Sequence, residues 1–201
     1  MTLPVGLSMV SGVNAIAHAI EALYSKRRNP ISNLIAIEGV RALALSLPGI
    51  AKNEHDGPAR ELALYGAWLC GMCLGSQSMS LHHNLCHVLG GSFGLPHAET
   101  HTAVLPHAVS YNAPMVKDAI EKLAAVLPDS QGDAIRGLNK LLSQLGVKRA
   151  LKEFGMKEED IERATEITLG RPYANPRRLE KSLVYELIRR AWAGEPARAD
   201  L

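Results

Sequence analysis

The sequence lacks most of the features that place a chain in a specialised class. It has three cysteines, Cys70, Cys73 and Cys86, an odd number with no framework spacing. That excludes a disulfide scaffold and points to a reducing compartment. Cys70 and Cys73 form a C-x-x-C, but with no second pair and no strand-to-helix context they read as small residues in a buried helix. The formal net charge is only +2, too mild to expect a nucleic-acid or membrane-surface partner. No basic stretch followed by an apolar run opens the chain, so no signal peptide is read and the cytoplasm is the expected location. The most apolar run, Leu62 to Gly75, is shorter than the roughly 20 residues of a bilayer span and is expected to be a core helix. Alternating strand patterns and internal repeats are absent. So is a phosphate-binding turn: the glycine cluster GGSFG, Gly90 to Gly94, follows a helical stretch rather than a strand.

What remains is an ordinary globular composition, 47% hydrophobic and 21% charged, over 201 residues. That suits one domain or one large helical lobe. Met1 to Met9 reads as an extended lead-in, and Ser11 as the N-cap of a helix over Gly12 to Tyr24. A second helix is expected from Pro30 to Pro48 and a polar loop over Lys52 to Pro58. A long helix should run from about Ala59 to about Leu89 and stop at Gly90 and Gly91. On it, Gly71 and Gly75 would let another backbone approach closely. Further helices are expected from Pro96 and His97 to near Asn112–Pro114, through Val116 to Leu127, and through Ile135 to Leu145. A short piece follows at Ala150 to Phe154, then Met156 to Leu169, then a last helix through Leu183 and Ile188. Glu195 to Leu201 should fray. The fold class is all-α, a bundle-like stack of about eight helices.

The chemistry concentrates between Leu81 and His107, which holds six of the eight histidines: His82, His83, His87, His97, His101 and His107. Imidazoles titrate near neutrality, move protons and bind metals. His83 and His87 are spaced i, i+4, so they share one helix face. A turn would fold His97 back toward them, and His18 could join from the first helix, where Asn14 lies one turn before it. His18, His83, His87 and His97 are therefore the candidate site residues. His55 and His82 read as structural, and His101 and His107 fit either reading. Such a nitrogen-rich cleft suits zinc or ferrous iron. A metal site of this kind gains from a carboxylate, however, and Asn14 offers a neutral amide. Without a metal, clustered imidazoles still bind anions, polarise a carbonyl and transfer protons.

Over essentially the whole chain, the stretches SGVNAIAHAIEALYS, LHHNLCHVLGGSFGLPHAETHTAVLPHAVSYN and GRPYANPR resemble the helical C-terminal domain of the iron-containing alcohol dehydrogenase superfamily. Within it, LHHNLCHVLGGSFGLPHAETHTAVLPHA is similar to the maleylacetate reductase branch. The resemblance implies that the Asp ligand of metal-dependent members falls on Asn14, their three His ligands on His18, His83 and His97, and a further active-site His on His87. It also implies a site working without a metal, as that branch is described. The implied reaction is reduction of maleylacetate, a small dicarboxylate, to 3-oxoadipate by NADH or NADPH, in breakdown of aromatic compounds by a homodimeric enzyme. The coenzyme would be held mainly by an N-terminal nucleotide-binding domain that these residues do not contain, so residues 1–201 are expected to be the helical catalytic domain and inactive alone. Two alternatives stand beside this: a metal-dependent (Fe or Zn) alcohol dehydrogenase domain using Asn14, His18, His83 and His97, and a non-catalytic helical dimerisation or ligand-binding module.

Overall fold

The computed structural model describes residues 2–201, and among these it contains nine α-helices, two short 3-10 turns and no strand. α1 (Val5–Leu23) begins well before Ser11, because Ser8, Met9 and Val10 are buried and pull the expected lead-in into the helix. α2 (Pro30–Lys52) starts at a capping box: the Asn29 side chain accepts the Ser32 N–H, and the Ser32 hydroxyl accepts the Asn29 N–H, each at 2.9 Å. It continues past Pro48, where a stop was expected, because Leu47 and Ile50 are both core residues. α1 and α2 are also long and apolar enough to cross a membrane, which the run at 62–75 is not. Here half or more of each apolar window is buried in the protein's own core.

The expected long helix is two helices, α3 (Gly57–Ser76) and α4 (Leu81–Phe93). The backbone groups freed at the break find other partners. The Ser80 and His82 N–H groups bond to the Glu21 carboxylate on α1, and the Ser80 hydroxyl lies 2.6 Å from the Asn175 side-chain oxygen. Gly90 and Gly91 lie inside α4, which ends instead at Gly94 with φ +68°. α5 (His97–Asn112) is followed by α6 (Lys117–Val126), α7 (Ala134–Gln144), α8 (Asp160–Leu169) and α9 (Lys181–Ala193).

Two apolar clusters build the interior. One joins α1, α2, α3, α6 and α7, and the other joins α4, α5, α8 and α9. α5 is buried from Thr100 to Asn112 and serves both: Leu105 and Val109 face the first, Val104 and Tyr111 the second. The C-terminal tail, expected to fray, is tied down. Arg177 donates to the Leu201 carbonyl at 2.6 Å, and Asn139 donates to the Ala197 carbonyl at 2.9 Å.

The close helix approach also differs from expectation. A Cβ on Gly71 or Gly75 would meet nothing within 4 Å, whereas one on Gly66 would lie 3.1 Å from the Leu43 backbone nitrogen. At Gly39 the close neighbour is the Cys70 sulfur, which would lie 2.9 Å from an added Cβ. Gly66→Ala should therefore destabilise the fold by about 1–3 kcal/mol, since backbone cannot yield. Gly71→Ala, on exposed helix, should stabilise it by up to about 1 kcal/mol. Urea denaturation of both variants checks the pair; equal effects would contradict the packing.

Candidate active site

The imidazoles meet where α1, α4 and α5 converge between the two apolar clusters. His18 on α1 stacks on His83 of α4, with ring centroids 4.4 Å apart and planes 30° apart. His83 and His87, one turn apart on α4, have centroids separated by 6.4 Å. His97, the first residue of α5, lies 6.3 Å from His87. The structure thus links all four candidate rings into one continuous row. His87 and His97 are exposed, and His83 is buried.

His101, which fitted either reading, stands in the middle of the row. Its ring centroid lies 4.2 Å from His97 and 4.9 Å from both His83 and His82. It follows His97 by one helical turn, the same i, i+4 spacing as His83 and His87. His107 is buried further along α5, beside Arg190 and Glu195 rather than the other rings. His55 is exposed in the α2–α3 connection.

A buried carboxylate escaped the sequence reading altogether. Glu21 has no exposed surface. One of its oxygens lies 2.8 Å from His83 Nδ1 and accepts from the Ser80 N–H at 2.8 Å, and the other accepts from the His82 N–H at 2.8 Å. The signal was present in the spacing. Asn14, His18 and Glu21 stand at i, i+4 and i+7 on α1 and so form one stripe. His82 also belongs to this layer, with Nε2 2.9 Å from the His101 carbonyl oxygen.

Burial keeps most of these rings neutral. Burial, then the neighbouring His83, lowers His18 to about 4, and burial first of all lowers His82 and His83 to about 3. His101 is also driven far below the ordinary imidazole range, again by burial first. Burial pushes Glu21 upward, against the pull of its hydrogen bonds. Asn14 Oδ1, His18 Nδ1, His83 Nε2 and both ring nitrogens of His101 are buried without a protein partner. Polar atoms left this way cost about 1–3 kcal/mol each, a cost that active sites tolerate for a ligand.

These donors match a divalent metal poorly. The set Asn14, His18, His83 and His97 carries no charge to offset the ion, and the carboxylate that reaches it, Glu21, is already committed to three donors. The face-on stacking of His18 and His83 does not aim two lone pairs at one point. A second grouping, His82, His83 and His101, brings its ligand atoms within 4.8 Å of one another. There, however, His82 Nε2 and His83 Nδ1 are taken by the His101 carbonyl and by Glu21. Cys70 and Cys73 take no part: both are free and buried, and burial raises them to about 12 and about 11, whereas the Cys86 sulfur lies 3.7 Å from His82 Nε2.

Known proteins share this arrangement of helices. Residues 8–192 match the model of the Fe-containing alcohol dehydrogenase family, C-terminal. A maleylacetate reductase of Pseudomonas sp. (strain P51) is 50% identical over 194 residues, which is 96% of this chain and 54% of that protein. The crystal structure of maleylacetate reductase from Rhizobium sp. strain MTP-10005 superposes with a TM-score of 0.93 at 47% identity, covering 97% of this chain and 55% of that one. A 1,3-propanediol oxidoreductase is more distant, at 27% identity and a TM-score of 0.87, covering 94% of this chain and 53% of that one. The chain spans about half the length of the curated relatives it matches.

The neutral rings set the response to acid. A group whose folded pKa lies below its unfolded value costs nothing above the unfolded pKa, about 6.5 for His, and destabilises the fold as pH falls beneath it. For His82 and His83, both essentially unexposed and lowered to about 3, the loss continues down to that value. Each removes up to about 1.4 kcal/mol per pH unit below about 6.5. Glu21 opposes this in part, because its raised pKa favours the protonated, folded form at low pH. Thermal unfolding should show a melting temperature level from about pH 8 to 7 and falling steeply between about pH 6 and 4.5. A flat profile through that window would show the rings to be protonated, or unburied, in the fold.

Proposed function

Because this chain belongs to the Fe-containing alcohol dehydrogenase family, as its C-terminal domain, we propose that it forms the substrate-binding half of a maleylacetate reductase. The observation that carries this reading is the 50% identity to maleylacetate reductases over nearly the whole chain. The imidazole-rich site supports it, since conjugate reduction needs donors and a proton but no Lewis acid. The reduced nicotinamide coenzyme, NADH or NADPH, held mainly by a preceding nucleotide-binding domain, supplies a hydride to the alkene carbon β to the ketone.

The residues of this chain then act on the resulting enolate. Neutral imidazoles donate N–H groups to the developing oxyanion in a largely buried setting, where such donors count for more than in water. His18, His83 and His97 surround the reacting carbonyl. His87, exposed at the mouth one turn from His83, delivers the proton to the carbon α to the ketone, giving the saturated 3-oxoadipate. Neutral rings cannot balance the two carboxylates of the substrate, so that charge is met by Arg or Lys side chains outside the ring cluster.

In the full two-domain enzyme, His87→Ala should lower kcat by about 10²–10⁴-fold, while the melting temperature moves little because the ring is exposed. A parallel loss of stability and activity would make His87 structural. Metal analysis of the same preparation separates the neighbouring reading: near one equivalent of iron or zinc, lost in His83→Ala, would favour a metal-dependent dehydrogenase.

A further inference from the structure

The hydrogen bonds around Glu21 determine which nitrogen of His83 faces the site. The His101 carbonyl can only accept, so His82 Nε2, 2.9 Å away, must carry a hydrogen. His82 is fully buried, where a charged ring is disfavoured, and with its one hydrogen on Nε2 its Nδ1 bears a lone pair. That lone pair faces His83 Nδ1 at 3.4 Å. A second lone pair on His83 Nδ1 would be repelled by it, whereas an N–H there meets the Glu21 oxygen at 2.8 Å. The other two contacts of Glu21 are backbone N–H groups at the start of α4, donors at the positive end of a helix dipole, and both favour the carboxylate. His83 Nε2, buried without a protein partner, is then the free lone pair.

We propose that Glu21 and His82 are positioning residues that lock His83 in the Nδ1–H tautomer, so that it presents an acceptor nitrogen to the donor groups of the site. This rests on the reading of the site as a metal-free reductase and refines it. His83 cannot donate to the enolate oxygen; that N–H comes from a neighbouring imidazole, and His83 instead accepts and orients a donor. Glu21 ties α1 to the first turn of α4 through the same carboxylate, so the tautomer and the helix position are set together. Partners that fix the orientation of an active-site imidazole in this manner commonly govern activity by about 10–100-fold.

The test is long-range ¹H–¹⁵N correlation spectroscopy of the imidazoles in the 201-residue chain at about pH 7.5, above the ordinary histidine range, with His83 assigned from its loss in His83→Gln. The expected result is a single Nδ1–H tautomer for His83. Glu21→Gln offers one acceptor oxygen to three donors, and should convert His83 to a mixture or to the Nε2–H form. In the two-domain enzyme the same variant should lower kcat by about 10–100-fold with KM for the coenzyme unchanged. An Nε2–H or doubly protonated His83 in the unmodified chain would overturn the proposal. A His83 tautomer unchanged in Glu21→Gln would overturn the role of Glu21. An intact Nδ1–H tautomer in a two-domain enzyme that does not reduce maleylacetate would instead sink the substrate assignment and leave the tautomer lock standing.

Discussion

One buried carboxylate holds the site together. Glu21 is on α1, yet its oxygens satisfy the first N–H groups of α4 and the inner nitrogen of His83. A charged acceptor at a helix N-terminus is favoured by the dipole, and a buried one with three donors has little left unsatisfied. The bond network therefore does three things at once. It ends the connection after α3, sets where α4 begins, and fixes one face of the imidazole row. Removing the carboxylate would leave unpaired amides at a buried helix start, so the fold and the site share one point of weakness.

Around that point the protein keeps a group of imidazoles uncharged. Histidine is usually the side chain that switches near neutral pH. Here burial holds His18, His82, His83 and His101 below that range, with mutual repulsion adding to it. The result is a set of dipolar donors and acceptors rather than a cationic pocket. That suits the stabilisation of charge that appears only during reaction, because neutral donors cost less to bury than ions and still strengthen as the oxyanion develops. It also explains why Asn14 suits its position: an amide adds a further dipole without the charge that a bound ion would require.

The two apolar clusters supply the rigidity. α5 is buried on nearly every face and forms a wall common to both, so His97 and His101 are carried by a helix packed on both sides. α1 and α4 bring His18 and His83 against it. The tail from Glu195 to Leu201 bridges the two clusters, with Ala197 held by Asn139 in the first and Leu201 held by Arg177 in the second. Within the row of rings, His87 and His97 alone remain exposed.

The sequence by itself determined the helical class, the approximate positions of α2 and α5 through α9, and the stretch that carries the chemistry, because periodicity, capping residues and histidine spacing are local properties. It singled out His18, His83, His87 and His97, and the row they form in the fold comes from one i, i+4 pair on α4, the first residue of α5 and one ring from α1. Where it failed, the deciding contact was distant in the chain. The break before Leu81 depends on Glu21, 61 positions before His82, and the start of α1 at Val5 depends on burial of Ser8 to Val10. Gly66 rather than Gly71 marks the close approach because α2 lies on that side. The roles of Glu21, His82 and His101 were likewise settled only by tertiary structure: a glutamate in a helix or a histidine beside another has no distinguishing pattern until burial removes water and leaves its polar atoms only the partners that neighbouring helices supply.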